Sequence, residues 1–388
     1  MLIKSASFEA LFSRRFYDHS RRFWYNLPGI DHNDLIRFGK AVTAYAGNGK
    51  EDSKVKESIK RKVDLLVANK DRIAKEFAWG EGIMNIAASL VFTGADKQVD
   101  IAKLRECRSI LKKKTGMFSS FRSTSEAFIV SKMAMSEDPE KFIDDVKAIY
   151  NLLNKTLYAE NAYLIQGAIC IYEADRMTEA QQIAEKSRTL YKMMNKKHPI
   201  LTSSEDMVYV ILLAMTDKSV ETIYNELEEC YTYLRREAKL RVSDNEFQGL
   251  SEILALTDGD IIEKTAKAVD LYRTITAHGI KWGDSYNEFG SLGILIDLGV
   301  DNDTLVDEIA EVNEYLKKCK GFGSWTLDNK QRLMFSAMLL GGAYAEENQL
   351  INSSAVSSTV AMIIAEEVAL MICMMLCMSA TTSAAACN

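Results

Sequence analysis

Proline is scarce in this chain. The 388 residues include only three prolines, Pro28, Pro139 and Pro199, where an average usage of about 5% would give roughly 19. Proline lacks an amide donor and disrupts helix interiors, so long helices require its absence. Pro139 follows Asp138 at a predicted helix start, a position where proline is tolerated. The composition therefore favours an all-α chain.

Catalytic and cofactor-binding signatures are also missing. The chain has four histidines, and none has the spacing of a zincin site. It contains no P-loop, Rossmann glycine fingerprint, Gly-x-Ser-x-Gly elbow or kinase signature. These absences favour a protein that is not an enzyme, and they predict neither a cofactor nor catalytic residues.

The seven cysteines form no Cys-x-x-Cys pair and no paired framework. Free thiols in a reducing compartment are the simplest explanation, so we expect a cytoplasmic protein. Cys373 and Cys377 would share one helix face, but no histidine pair lies nearby to complete a metal site. The aspartates at Asp258 and Asp260, and at Asp301 and Asp303, lack the glycine and glutamate of a calcium loop. Helix capping explains these aspartates, and no metal is expected.

The charge balance argues against a nucleic-acid partner. The formal net charge is −6 and the pI is near 5.5, whereas affinity for nucleic acid rests mainly on cationic contacts to phosphate.

A helical hairpin is predicted from Leu201 to Leu240. Thr202 and Glu205 have the spacing of a capping box. The uninterrupted apolar segment Met207 to Met215 follows, and after a turn the apolar residues recur every three or four positions. The first helix is therefore expected to be buried and the second to be amphipathic.

The same pattern recurs at about 40 to 43 residues, a period typical of paired-helix solenoids. Capping pairs recur at Ser123 with Glu126, Thr202 with Glu205, Ser243 with Glu246, Ser285 with Glu288, and Asp328 with Gln331. The second helices carry a tyrosine at Tyr150, Tyr191, Tyr231, Tyr272 and Tyr315. Hairpins are predicted at roughly 83–118, 122–160, 161–200, 201–240, 243–282 and 285–325, with a further helix from about 328. We expect an α/α superhelix of six to seven hairpins of roughly 41 residues, or alternatively a closed α/α toroid.

Three regions are predicted: 1–50, 51–345 and 346–388. In residues 1–40, seven Lys or Arg stand against four Asp or Glu, interleaved with aromatics. This basic aromatic extension either touches a membrane surface or an acidic partner, or is a terminal cap or a loosely ordered arm. It has no uninterrupted apolar segment, so a secretory signal is not expected. Residues 51–345 are the helical repeat domain, which begins with a charged helix at 54–78.

The third region, 346–388, contains a Met-rich apolar helix and a tail of small residues expected to be disordered. Its run from Val360 to Met378 approaches membrane-spanning length, but Glu366 and Glu367 lie inside it. One acidic residue near a helix centre costs about 2.5 to 3.5 kcal/mol on insertion. A helix that docks on the repeat domain, on a partner or on another copy fits better, so residues 354–378 are candidates for self-association.

The connection from Lys112 to Arg122 combines three lysines with Phe118 and Phe121. It is either an anion-binding edge or the ordinary end of a helix, where lysines complement the dipole and glycine stops the helix.

Three phrases carry a family resemblance: RECRSILKKKTGMFSSFRS at 105–123, HPILTSSEDMVYVILLAM at 198–215 and KGFGSWTLDNKQRLMFSAMLL at 320–340. The chain resembles, over roughly residues 54–345 and the start of the tail, a bacterial family catalogued as a domain of unknown function, number 4003. The resemblance implies a cytoplasmic bacterial protein, and it supplies no activity and no catalytic residues.

The expected function is that of an interaction module whose concave face binds a protein or peptide. Arg122, Trp282, Trp325 and Arg332 are the candidate binding residues, since arginine and aromatic side chains dominate binding hot spots and these four are expected on loops.

Two alternatives remain open. A closed ring of six hairpins could be an enzyme with a central cavity, but the first helices show almost no ionisable group beyond Asp297. Alternatively, the two terminal segments could hold an assembly protein at a membrane surface.

Overall fold

The computed structural model describes residues 56–77, 82–117, 119–123, 125–158, 162–283, 285–324 and 327–351. The chain divides into two units, Met1–Lys54 and Val55–Asn388, and the described residues all belong to the second. The predicted extension at 1–50 lies outside the described residues, as does the segment 354–378. Every regular element in the described ranges is helical, so the all-α prediction is confirmed.

The described part contains fourteen α-helices and three short 3₁₀ helices. The α-helices are α1 (Glu57–Glu76), α2 (Gly82–Gly94), α3 (Ile101–Lys114), α4 (Glu126–Met135), α5 (Pro139–Leu157), α6 (Ala162–Glu173), α7 (Ala180–Lys197), α8 (Asp206–Met215), α9 (Val220–Arg236), α10 (Asp244–Leu254), α11 (Ile261–Ala277), α12 (Tyr286–Gly290), α13 (Asn302–Lys318) and α14 (Asn329–Ile351). The 3₁₀ helices are Ser120–Arg122, Met177–Glu179 and Ser291–Ile294. Each predicted hairpin thus contains two α-helices, and the predicted charged helix at 54–78 is α1.

Two kinds of helix alternate along the chain. The even-numbered helices, here called the core helices, are mostly buried: every residue of α8 from Asp206 to Ala214 is buried. The odd-numbered helices, here called the amphipathic helices, bury one stripe; α9 buries Ile223, Leu227 and Leu234 and exposes charged residues. This difference follows from the sequence, because an uninterrupted apolar run has no polar face, whereas apolar residues at three-and-four spacing leave one.

Side-chain capping sets several helix starts. Asp260 Oδ1 accepts from the Glu263 amide at 2.8 Å, and Asp301 Oδ1 accepts from the Thr304 amide at 2.9 Å. The capping prediction for these two aspartates is confirmed. At the start of α14 the capping box is reciprocal, because the Gln331 amide donates to Asp328 Oδ1 at 2.8 Å and the Asp328 amide donates to Gln331 Oε1 at 3.4 Å.

The capping box predicted at Thr202 is wrong. Helix α8 begins at Asp206, whose Oδ2 accepts from the Ser203 amide. The Thr202 hydroxyl is buried and has no hydrogen-bond partner. Asp206, one position beyond the predicted Glu205, therefore replaces it as the capping acid. The other carboxylate oxygen of Asp206, Oδ1, contacts Gln248 and Tyr286.

The amphipathic helices pack in order: each contacts the next amphipathic helix, and α13, the last of them, contacts α1. Helix α14 also contacts α1. We call this set of contacts the α1 seam. In it, Tyr315 Oη donates to Asp64 Oδ1 at 2.7 Å, and Lys70 Nζ donates to the Lys320 carbonyl at 2.6 Å.

Glycine is required at one position of the α1 seam. Gly321 has φ +82°, in the left-handed region, and a Cβ there would lie 2.2 Å from Lys70 Nζ. Glycine takes this backbone conformation without strain, whereas a Cβ would strain the backbone and displace the end of the Lys70 side chain.

Two lysines donate hydrogen bonds to carbonyls at the C-terminal end of core helix α10. Lys264 Nζ donates to the carbonyls of Leu254 and Thr257, each at 2.7 Å. Lys218 Nζ donates to the carbonyls of Ala255 at 2.9 Å and Thr257 at 2.8 Å. Burial, followed by repulsion from Lys218, lowers the pKa of Lys264. The cations satisfy carbonyls that a helix end leaves without partners.

Candidate functional site

Two features of the described helices stand apart from ordinary packing. The first is a buried set of polar side chains, here called the acid–tyrosine cluster, formed by Asp206 of α8, Gln248 and Glu252 of α10, and Tyr286 of α12. Asp206 is 1% exposed and Glu252 is fully buried. Gln248 Nε2 donates to Asp206 Oδ1 at 2.6 Å, and Tyr286 Oη lies 3.0 Å from the same oxygen. The cluster joins three core helices.

The proton count of the cluster follows from its hydrogen bonds. Tyr286 Oη contacts both Asp206 Oδ1 and Glu252 Oε2, but a hydroxyl carries one proton and can donate to only one of them. Asp206 already accepts from Gln248 and from the Ser203 amide, which is the pattern of an ionised carboxylate. If Tyr286 donates to Asp206, Glu252 has to supply the proton of the second contact. In that arrangement Glu252 is a neutral carboxylic acid.

The electrostatics of the cluster agree with that assignment. Burial raises the pKa of Glu252 well above its ordinary value, and both the charge of Asp206 and a hydrogen bond to it add to the effect. Burial also raises the pKa of Tyr286 and of neighbouring Tyr209. The cluster thus holds a carboxylic acid beside a carboxylate, with a phenol between them.

This cluster corrects the expectation that the first helices carry almost no ionisable group beyond Asp297. Asp297 itself lies in a turn with φ +63° and pairs with Lys267 at 2.7 Å. The missed signal was the polar pair Gln248 and Glu252, one turn apart in the short helix α10. Gln248 also lies 42 residues beyond Asp206, within the predicted repeat period.

Two of the four predicted binding residues have internal partners. Trp282 is 6% exposed, and its Nε1 donates to the Glu288 carbonyl at 2.9 Å. Arg332 is 1% exposed and lies in α14, not on a loop. Its guanidinium donates to Asn313 Oδ1 at 3.0 Å, to the Phe322 carbonyl at 3.2 Å and to Asn329 Oδ1 at 2.9 Å. Both side chains make these contacts inside the fold.

The other two predicted binding residues differ in position. Arg122 is half-buried at the end of the 3₁₀ helix Ser120–Arg122, next to the connection between α3 and α4. Trp325 lies outside the described residues. The contacts of the described residues do not bring Arg122, Trp282 and Arg332 together, and their participation in binding stays a prediction.

The second feature is a row of exposed apolar side chains. Met117 is 71% exposed, Tyr158 is 78% exposed and Ile200 is 94% exposed. They are separated by 41 and 42 residues, and each follows the C-terminal end of an amphipathic helix, namely α3, α5 or α7. These three helices pack side by side in this order, and each of the three side chains lies just beyond the end of its helix. We call Met117, Tyr158 and Ile200 the repeat edge.

The helix ends beside the repeat edge are basic. The last turn of α3 contains Lys112, Lys113 and Lys114, that of α5 contains Lys155, and that of α7 contains Lys196 and Lys197. All but Lys114 are exposed, and these five form no ion pair within the described part of the chain.

A depression on α7 continues from this edge. It is lined by Glu185, Arg188, Thr189, Lys192, Met193 and Lys196. The Arg188 guanidinium lies 4.9 Å from the centre of the Tyr158 ring, which connects the depression to the edge.

Comparisons complete the description of the chain. No helix in the described ranges is long and apolar enough to cross a bilayer. No curated protein and no solved structure matches the chain. The model of the family described as "Protein of unknown function (DUF4003)" matches residues 69–369. The resemblance carried by the three sequence phrases is confirmed, and the chain belongs to this family.

Proposed function

We propose that the described helices form a closed α/α ring and that this ring is a protein-binding module whose repeat edge engages a peptide. The α1 seam supports closure. An open superhelix would leave its first and last helices apart, whereas α1 contacts both α13 and α14. On this view α14 and α1 make a seventh pair beside the six predicted hairpins.

The repeat edge is the observation that carries the proposal. Exposing large apolar side chains to water is unfavourable by about 25 cal/mol for each Å². Single exposed side chains are ordinary, but Met117, Tyr158 and Ile200 recur at one position in three successive hairpins. Their recurrence supports an interaction surface, since unrelated exposed side chains would share no position in the repeat. We place the binding surface at this edge and not on the expected concave face, because the core helices are buried along their length.

The test is selection of peptides from a random display library on the immobilised full-length protein. We expect the enriched peptides to lose binding to the triple variant M117S/Y158S/I200S. The control is M177S, because Met177 is also exposed, at 41%, but lies at the opposite end of the hairpins, between α6 and α7. Peptides that bind the triple variant as well as the wild type would contradict the proposal.

A ring enzyme is the second candidate, and the acid–tyrosine cluster is the observation in its favour. A carboxylic acid beside a carboxylate can supply a proton and accept one at the same pH. The Oε1 atom of Glu252 is buried and has no hydrogen-bond partner. A ligand of the cluster would raise the melting temperature of the wild type and not of E252Q in a thermal-shift screen of small metabolites. Equal shifts in melting temperature for the wild type and E252Q would contradict the ring-enzyme proposal.

Membrane-surface attachment through 1–50 and 346–388, and self-association through 354–378, stay predictions. Sedimentation of the full chain and of a chain that ends at residue 353, with and without vesicles, tests both. Identical behaviour of the two chains would contradict a role for the Met-rich segment.

A further inference from the structure

We infer that His278 is a pH-sensitive link between two successive amphipathic helices. As an imidazolium it holds the end of α11 to the start of α13, and as a neutral imidazole it loses one of its two hydrogen bonds. The inference depends neither on ring closure nor on the repeat edge.

The geometry of the link requires a protonated ring. His278 Nε2 lies 2.8 Å from Asp303 Oδ1, and His278 Nδ1 lies 3.2 Å from Asp307 Oδ1. A neutral imidazole carries one N–H, so its second nitrogen would present a lone pair to a carboxylate, which has no proton to donate. Both contacts are hydrogen bonds only when both ring nitrogens carry a proton.

The two aspartates give the imidazolium a structural role. Asp303 and Asp307 are four residues apart in α13, so their like charges repel each other on one helix face. A cation between them offsets this repulsion. His278 is also the C-terminal cap of α11, where the helix dipole favours a positive charge.

The end of α11 differs from the ends of the other amphipathic helices. The last turns of α1, α3, α5, α7, α9 and α13 each contain Lys or Arg, which stay charged at neutral pH. The last turn of α11 contains neither. Among the described helices, α11 is thus the amphipathic helix whose last turn and cap offer only a histidine as a cation, and histidine titrates near neutral pH.

Other charged groups near this junction have partners of their own or are exposed. Asp270 of α11 accepts from the Asn302 side chain at 2.9 Å. Arg273 donates to the Ala238 carbonyl, beyond the end of α9, at 3.1 Å. Lys281 is exposed in the connection that follows α11.

The remaining elements that pack on α11 leave the two aspartates as the partners of the link. The 3₁₀ helix Ser291–Ile294 has no charged residue. The three acids of α10 contact Arg235, Ser243 and Tyr286.

The electrostatics give the direction of the pH dependence. The hydrogen bond to Asp303 raises the pKa of His278 above its ordinary value; burial opposes the increase, and the charges of Asp307 and Asp303 add to it. Because the pKa is higher in the folded protein, the contribution of the link is complete below the ordinary pKa. It is lost as pH rises through the folded pKa.

Side-chain NMR of the full-length protein tests the protonation of the ring. The chain has four histidines, and H278Q identifies the signal of His278 by its loss. We expect the pKa of His278 to lie above its ordinary value and to fall toward that value in D303N/D307N. The control is E314Q, because Glu314 is exposed on the same helix and pairs with Lys317. An unchanged pKa in D303N/D307N would overturn the inference.

Hydrogen exchange, followed by mass spectrometry, tests the link between the helices. With labelling times adjusted for the intrinsic pH dependence of exchange, we expect the start of α13 to exchange about two- to fivefold faster in H278Q than in the wild type at about pH 6. The difference should vanish at about pH 9, where the histidine is neutral. H278R should keep the protection at both pH values, since a guanidinium stays charged and can donate to two carboxylates.

Two exchange results would overturn the inference. The first is a difference between wild type and H278Q that is absent at the lower pH or unchanged at the higher pH. The second is a loss of protection in H278R over the same rise in pH, because another group would then be responsible for the pH dependence.

Discussion

Charged residues near the core helices and charged residues at the ends of the amphipathic helices are used differently. Arg332 and Lys264, both nearly fully buried, each donate to several protein acceptors. Lys112 and Lys196 are exposed and form no ion pair within the described residues. Burying a charge is unfavourable unless partners compensate it, so a buried cation has to be part of the fold. The exposed lysines have no such role, and they are available for a partner.

The largest effect is expected from Arg332→Ala. The change removes the donor for Asn313 Oδ1 and the Phe322 carbonyl, which are buried, and one of the two donors for Asn329 Oδ1. We expect a loss of about 3 to 5 kcal/mol in the free energy of unfolding, measured by urea denaturation. Arg236→Ala is the control, because Arg236 is exposed at the end of α9 and its loss should change stability by less than about 0.5 kcal/mol. Equal effects of the two changes would remove the distinction between buried and exposed cations.

The next largest effect on stability is expected from a comparison of two lysines of α11, Lys264 and Lys267. Lys264→Met keeps the length of the side chain but leaves the Leu254 carbonyl without its donor, so we expect a loss of about 1 to 3 kcal/mol. Lys267, three residues further along α11, is exposed and pairs with Glu263 and Asp297. We expect Lys267→Met to leave the urea midpoint unchanged, because solvent screens exposed ion pairs. A larger effect at Lys267 than at Lys264 would reverse the comparison.

The α1 seam gives a smaller effect. Gly321→Ala places a side chain at φ +82° and against Lys70 Nζ, so we expect a loss of about 1 to 2 kcal/mol. The nearest atom to a Cβ at Gly323 is the Lys317 carbonyl oxygen at 3.7 Å, an ordinary contact. Gly323→Ala is therefore the matched control and should be nearly neutral. Equal stability of the two variants would mean that neither the backbone conformation of Gly321 nor Lys70 constrains this position.

The helices could be predicted from the sequence because their signals are local. Asp260 and Asp301 cap helices by contacts to residues three positions ahead. Apolar runs and three-and-four spacing likewise distinguish core from amphipathic helices within a single segment. The capping box predicted at Thr202 is wrong by one residue, because the acid at the start of α8 is Asp206 and not Glu205.

The acid–tyrosine cluster could not be predicted in the same way. Asp206 meets Gln248 over 42 residues and Tyr286 over 80 residues, and the α1 seam joins residues about 250 apart. Such contacts depend on how hairpins stack, which no local pattern specifies. The burial of Trp282 and Arg332 could not be predicted for the same reason. Residue type alone does not show whether a side chain is exposed for binding or donates to a carbonyl within the fold. Met117, Tyr158 and Ile200 are separated by the repeat period, but only their exposure in the structure distinguishes them from other residues at that spacing.

The last effect depends on pH and concerns the proton of Glu252. Its pKa is raised in the folded protein, so the native state holds a proton that the unfolded chain releases near its ordinary pKa of about 4.3. The contribution of Glu252 is therefore complete below that pH and is lost as pH rises toward the folded pKa, by at most about 1.4 kcal/mol per pH unit.

Glu252→Gln keeps the shape of the side chain and removes the titration. The difference in unfolding free energy between E252Q and the wild type should therefore move in favour of E252Q as pH rises from about 5 to 8. Urea denaturation at several pH values measures it, with Glu263→Gln as the control because Glu263 is exposed on α11. A difference that stays constant with pH would mean that Glu252 is not a neutral acid. Asp206 and Tyr286 would then need another source for the second proton of their contacts.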